Sequence, residues 1–137
     1  MNTRSYTAVV PATNSTGEML LAGNDLDNTI LAGDGNASLW GGDDGDDLLI
    51  GGNGQNTFYY NLGNGNDTIQ NANDGDIVDL TNITPDEISS TKIISTGVTI
   101  NFVDGGQLNV AGTAAVDFRI NGETYAANHD TTQWTKK

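Results

Sequence analysis

The chain has 137 residues, with 18 acidic side chains against 5 Lys plus Arg and a formal net charge of −13. One domain is the natural count at this length, and so acidic a chain is excluded as a partner for a phosphate backbone, which requires basic residues. Cysteine is absent, so no disulfide staples the fold, and no apolar run approaches the ~18 residues of a membrane span.

Residues 1–20 are a polar, threonine-rich lead-in. Within it, residues 6–10 predict a short strand that covers an exposed sheet edge. No apolar signal core precedes them, so export relies on another signal or on a larger parent chain. Residues 21–80 form the organising stretch. Turns rich in Gly, Asp and Asn occupy residues 23–28, 32–37, 42–47, 51–56, 62–67 and 71–76. A three-residue run follows each turn, long enough for a short strand whose middle residue points inward. Those middle residues are Ile30, Leu39, Leu49, Phe58, Ile69 and Val78, at spacings of 9, 10, 9, 11 and 9. A period near nine of this kind marks a solenoid, in which each unit stacks on its neighbours.

The acids follow the turns. Eleven of the 15 aspartates lie between Asp25 and Asp79, and no Lys or Arg occurs between Arg4 and Lys92. Asp is short enough for tight turns and for compact oxygen cages. Stacking such turns sets like charges together, and a calcium ion with six to eight oxygen ligands would remove the repulsion.

Residues 81–125 change to period two. Leu80 and Ile83 cap the core, and residues 85–88 predict one helical turn with its acids at the N-terminus. Residues 92–94, 98–102, 107–110, 116–120 and 123–125 predict antiparallel strands. Asn121-Gly122 is the signal of a two-residue hairpin turn. Residues 126–137 are a polar tail, anchored by Trp134 alone.

The runs GGNGQNTFY at 51–59, GDDGDDLLI at 42–50 and NLGNGNDTI at 61–69 carry a resemblance. The stretch 21–80 resembles the calcium-binding nonapeptide repeat of the RTX family, the repeats-in-toxin or hemolysin-type proteins, whose pattern is G-G-x-G-x-D-x-U-x. That resemblance implies an all-β fold: a right-handed parallel β-roll of short coils, followed by a small antiparallel capping segment. Two nonapeptides make one coil, so turns alternate between two sides, with calcium ions between successive turns on one side. The sixth residue of each turn and the turn carbonyls supply the oxygens. On the first side these positions are Asn28, Asp47 and Asp67, with Asp25, Asp27, Asp44, Asp46 and Gly65 in support. On the second they are Ala37, Asn56 and Asp76, with Asp34 and Gln55 nearby. The best site falls between Asp47 and Asp67, and the next between Asn28 and Asp47. A site at Asn56 and Asp76 is marginal, and Ala37 has no side-chain oxygen to give. The second side is therefore expected to use Asx hydrogen bonds in place of metal.

The function this implies is a calcium-binding structural module of a secreted or cell-surface bacterial protein. It would fold on calcium binding after export, beside other domains of its parent. The alternative is a carbohydrate-binding accessory module of an extracellular enzyme or adhesin. The charge opposes an acidic glycan, whereas Trp40, Tyr59 and Tyr60 offer a platform for a neutral one. Enzyme chemistry finds no support. His129 is the single histidine, and neither an HExxH zinc motif nor a G-x-S-x-G elbow occurs.

Overall fold

The computed structural model describes residues 6–9, 19–33, 35–129 and 131–137. Of the lead-in it therefore describes Tyr6–Val9 and the residues from Met19 onward; Asp34 and Asp130 lie outside the described residues. The fold is all-β, with two mixed sheets of short strands. In chain order the strands are β1 (Tyr6–Val9), β2 (Met19–Ala22), β3 (Asn28–Leu31), β4 (Ala37–Trp40), β5 (Leu48–Ile50), β6 (Asn56–Tyr59), β7 (Asn66–Gln70) and β8 (Ile77–Leu80). A single 3-10 turn at Pro85–Glu87 leads into β9 (Ile88–Ile94), β10 (Gly97–Phe102), β11 (Gln107–Ala111), β12 (Asp117–Ile120), β13 (Glu123–Asn128) and β14 (Gln133–Lys136).

The first eight strands alternate between the sheets, and each pairs in parallel with the strand two places along. The first sheet runs β1-β3-β5-β7-β11-β10-β9 and the second β14-β13-β12-β8-β6-β4-β2. The strand expected in the lead-in is present as β1, in register with β3. The period-two segment adds one more parallel strand to each sheet: β11 lies beside β7, and β12 beside β8. Antiparallel hairpins complete both sheets from there. The segment expected to be a polar tail carries β14, whose polar residues suit an edge strand.

Side chains alternate inward and outward along β3 to β8, as the pleat requires. The six middle residues are all buried in one core with Leu80, Ile83 and the inward residues of β10 to β12. Asn121 and Gly122 both have positive φ, the geometry of a type I′ turn. At the far end Trp134 packs edge-on against Phe118 and Tyr125, and its indole N–H donates to Thr91 Oγ1 at 3.0 Å. That bond ties β14 of one sheet to β9 of the other.

Candidate metal centre

The alternation that buries Ile30, Leu49 and Ile69 also buries the residue two places earlier. Asn28, Asp47 and Asp67 are only 2%, 3% and 1% exposed. Sequence reasoning placed these residues in the turns, but they point inward at the turn-to-strand junction. Ala37, Asn56 and Asp76 hold the same position on the other side and are buried too.

These residues form a ladder between stacked turns. The backbone N–H of Asn28 donates to Asp47 Oδ1 at 2.8 Å, and that of Asp47 to Asp67 Oδ1 at 3.0 Å. On the second side, Ala37 N–H donates to Asn56 Oδ1 at 3.2 Å and Asn56 N–H to Asp76 Oδ1 at 2.8 Å. A second ladder runs one residue earlier, outside the first and in the opposite sense. Asp46 N–H donates back to Asp27 Oδ1 at 2.7 Å, Asn66 N–H to Asp46 Oδ1 at 3.0 Å, and Gln55 N–H to Asn36 Oδ1 at 2.8 Å. Each interior turn is thus held by the turn after it and by the turn before it.

The two sides differ in what happens to the second side-chain atom. On the second side the Asn56 amide donates to the carbonyl of Gly54 at 3.1 Å, and Asn71 and Asn73 donate to the carbonyls of Gly51 and Gly52. Asp76 Oδ2 accepts from Asn73 N–H at 2.9 Å. Side chain and turn carbonyls satisfy one another there, as the Asx expectation held. In the first turn, Asn28 likewise exchanges two hydrogen bonds with Asn24. Asp47 Oδ2 and Asp67 Oδ2, by contrast, are buried without a hydrogen-bond partner among the described residues.

Two unpaired carboxylate oxygens in a buried column are electrostatically costly. Burial is the main force that pushes the Asp67 carboxyl up to about 7, against the bond from Asp47 N–H and with the charges of Asp47 and Asp46. Burial likewise lifts Asp47 to about 6. The Asn28 N–H opposes the rise, and Asp27, Asp46 and Asp44 add to it. Gly41 sits so close to Asp47 Oδ2 that a Cβ there would overlap it. Gly45, at φ +94°, lies against the carbonyl of Leu26. Close stacking of the turns therefore depends on glycine.

The remaining candidates fall into place around this pair. Asp27 and Asp46 form the outer ladder. Asp25 and Asp44 are exposed, and Asp44 accepts from its neighbour Gly45. The Gly65 carbonyl already accepts from Tyr60 Oη at 2.7 Å and from Gln107 N–H at 3.2 Å. Among the described residues no three His, Cys, Asp or Glu side chains converge as a metal-binding group. A cation bound at Asp47 and Asp67 would have two carboxylates as charged ligands and would need neutral backbone or water oxygens for the rest. The pair fits an oxygen-seeking ion such as calcium and lacks the His or Cys ligands that favour zinc.

The aromatic candidates separate. Trp40 and Tyr59 face outward, with Tyr59 37% exposed. Tyr60 is buried and stacks on Phe102, ring centroids 4.7 Å apart, so it belongs to the core and not to a surface platform. Tyr60 continues the alternation of β6, two residues after Phe58, and so faces inward. Asp104, which sequence reasoning took only as a turn residue, binds the fifth turn through Gly63 N–H at 2.7 Å.

No family model matches the chain, and no curated protein matches it. Among solved structures, the extracellular lipase LipA from Serratia marcescens is similar at 15% identity and a TM-score of 0.34, over 91% of this chain and 17% of the lipase. This chain thus spans about a sixth of that protein's length. Among the described residues no helix is long and apolar enough to cross a membrane.

Proposed function

We propose that the chain is a calcium-binding structural module, a right-handed parallel β-roll closed by antiparallel hairpins, of the kind the RTX resemblance implies. Calcium is held on the first side, between Asp47 and Asp67, and the second side is held by Asx hydrogen bonds. The module serves a secreted or cell-surface protein and performs no catalysis of its own. The observation that carries this reading is the pair of buried, partnerless oxygens, Asp47 Oδ2 and Asp67 Oδ2. Bound calcium would neutralise them, and because the unfolded chain offers no such pair, binding favours the folded state. Extracellular calcium would then complete folding after export.

Far-UV circular dichroism in chelator and then in rising calcium tests this. The expected result is a gain of strand signal and of melting temperature with calcium. Asp67→Ala should raise the calcium midpoint much more than Asp25→Ala. Identical spectra and melting temperatures in chelator and in millimolar calcium would sink the proposal.

A further inference from the structure

The outer face of the second sheet carries a row that the metal centre does not use. Parallel and antiparallel pairing sets Trp40, Tyr59, Asp79, Arg119 and Thr124 side by side on β4, β6, β8, β12 and β13. Neighbouring strands lie about 4.8 Å apart, so the residues of the row recur at about that spacing. At its aromatic end is an open trough of about 240 Å³ lined by Leu20, Trp40, Tyr59 and Asn61. Leu20 is 71% exposed, so the trough floor is apolar and meets solvent.

Trp40 is held rigidly. Its indole N–H donates inward to Asn64 Oδ1 at 3.0 Å, and Asn64 is itself buried and accepts from Asn61 N–H at 2.9 Å. The polar edge of the indole is thus consumed inside the protein. What remains for a ligand is an apolar ring surface with little conformational freedom left to lose. Beyond Tyr59 the row turns polar. Asp79 offers a carboxylate, and Arg119 is exposed with no ion pair among the described residues.

We infer that this row binds a neutral polysaccharide chain, with Trp40 and Tyr59 under the C–H faces of the sugar rings and Asp79, Arg119 and Asn61 at their hydroxyls. A sugar has one apolar face and a rim of hydroxyl donors and acceptors. The row supplies the complement in order: aromatic surface first, then acceptor and donor. Charge selects the neutral chain. A polyanion would meet a molecule of net charge −13 with Arg119 as the row's lone cation. An anionic membrane would meet the same repulsion. The proposal stands apart from the calcium reading, since none of these side chains belongs to the ladder.

Affinity gel electrophoresis of the whole chain in millimolar calcium tests it, with hydroxyethyl cellulose, laminarin, galactomannan and polygalacturonate in separate gels. Retardation by at least one neutral polymer is expected, with none by polygalacturonate. Trp40→Ala should weaken that retardation about tenfold or more. Tyr59→Ser, at an exposed position, keeps the test sound if the first variant misfolds, and should weaken it several-fold. Absence of retardation by all three neutral polymers overturns the inference. So does retardation that survives both substitutions, or that polygalacturonate matches. Concentration-dependent dimerisation abolished by Tyr59→Ser would show the face to be a self-association surface and would overturn it too. If calcium binding fails while polymer binding persists, only the metal reading falls.

Discussion

Replacing Asp67 by Asn tests the electrostatics of the buried column most directly. The amide keeps an oxygen for the Asp47 N–H and puts an NH2 group where Oδ2 has no partner. The Asn56 amide already shows what such a group does, by donating to turn carbonyls. The carboxyl of Asp67 titrates near 3.8 in an unfolded chain and is raised to about 7 in the fold. The folded chain therefore holds that proton more tightly. Stability from this group is fully present below about pH 4 and is lost as pH rises through about 7. One pH unit of difference corresponds to about 1.4 kcal/mol, so ionised Asp67 costs the metal-free fold about 4 kcal/mol at pH 8. In chelator at pH 8, Asp67→Asn should therefore be more stable than the parent by up to about 4 kcal/mol, falling below about 1 kcal/mol at pH 4. Added calcium should stabilise the parent strongly and the variant little. Urea denaturation at both pH values, with and without calcium, measures all of these differences. A variant no more stable than the parent in chelator at pH 8 would refute the reasoning. A chelated parent that gains stability from pH 4 to pH 8 faster than the variant would refute it equally.

Asn56→Asp makes the converse change. It removes the donors to the Gly52 and Gly54 carbonyls and buries a charge, so we expect a loss of about 3 kcal/mol in chelator and partial recovery in calcium, read by thermal melts. Gly45→Ala meets the Leu26 carbonyl at a left-handed φ; a loss above about 2 kcal/mol, with or without calcium, should appear in urea titrations. Tyr60→Phe keeps the stack on Phe102 but leaves the Gly65 carbonyl with one donor fewer. A loss of about 1 kcal/mol in melting experiments is expected.

Much of the fold was legible because its period is local. A turn of small residues followed by one large apolar residue recurs often enough to fix every strand from β3 to β8. The Asn-Gly pair at 121–122 marked its hairpin for the same reason, since only φ > 0 residues fit there. What escaped notice depends on partners far away in the chain. The ladder joins residues 19 or 20 apart, and no single turn reveals that its last side chain points inward. Asp46 and Asp47 look equivalent in the run GDDGDDLLI, yet the alternation that leads into β5 exposes one and buries the other. Tyr59 and Tyr60 differ for the same reason, because adjacent residues of an extended chain face opposite ways. β14 was missed because its residues are polar; what holds it is its pairing with β13, the ion pairs of Lys136 and Lys137, and the packing of Trp134.

The mixed character of the sheets has a consequence for the order of assembly. The antiparallel pairs join strands that are neighbours in sequence, whereas each parallel pair of the stack must first close a loop around an intervening strand. Short loops close at smaller entropic cost, so hairpins form sooner. We expect the hairpins of β9 to β14 to gain protection first in pulse-labelled hydrogen exchange, and simultaneous protection of all strands would contradict this. Once formed, they present β11 and β12 as finished edges. β7 and β8 then add to those edges, β5 and β6 to them, and so on back along the chain. Growth of the stack thus runs against the direction of synthesis, and the residues a ribosome delivers first are the last to find their neighbours.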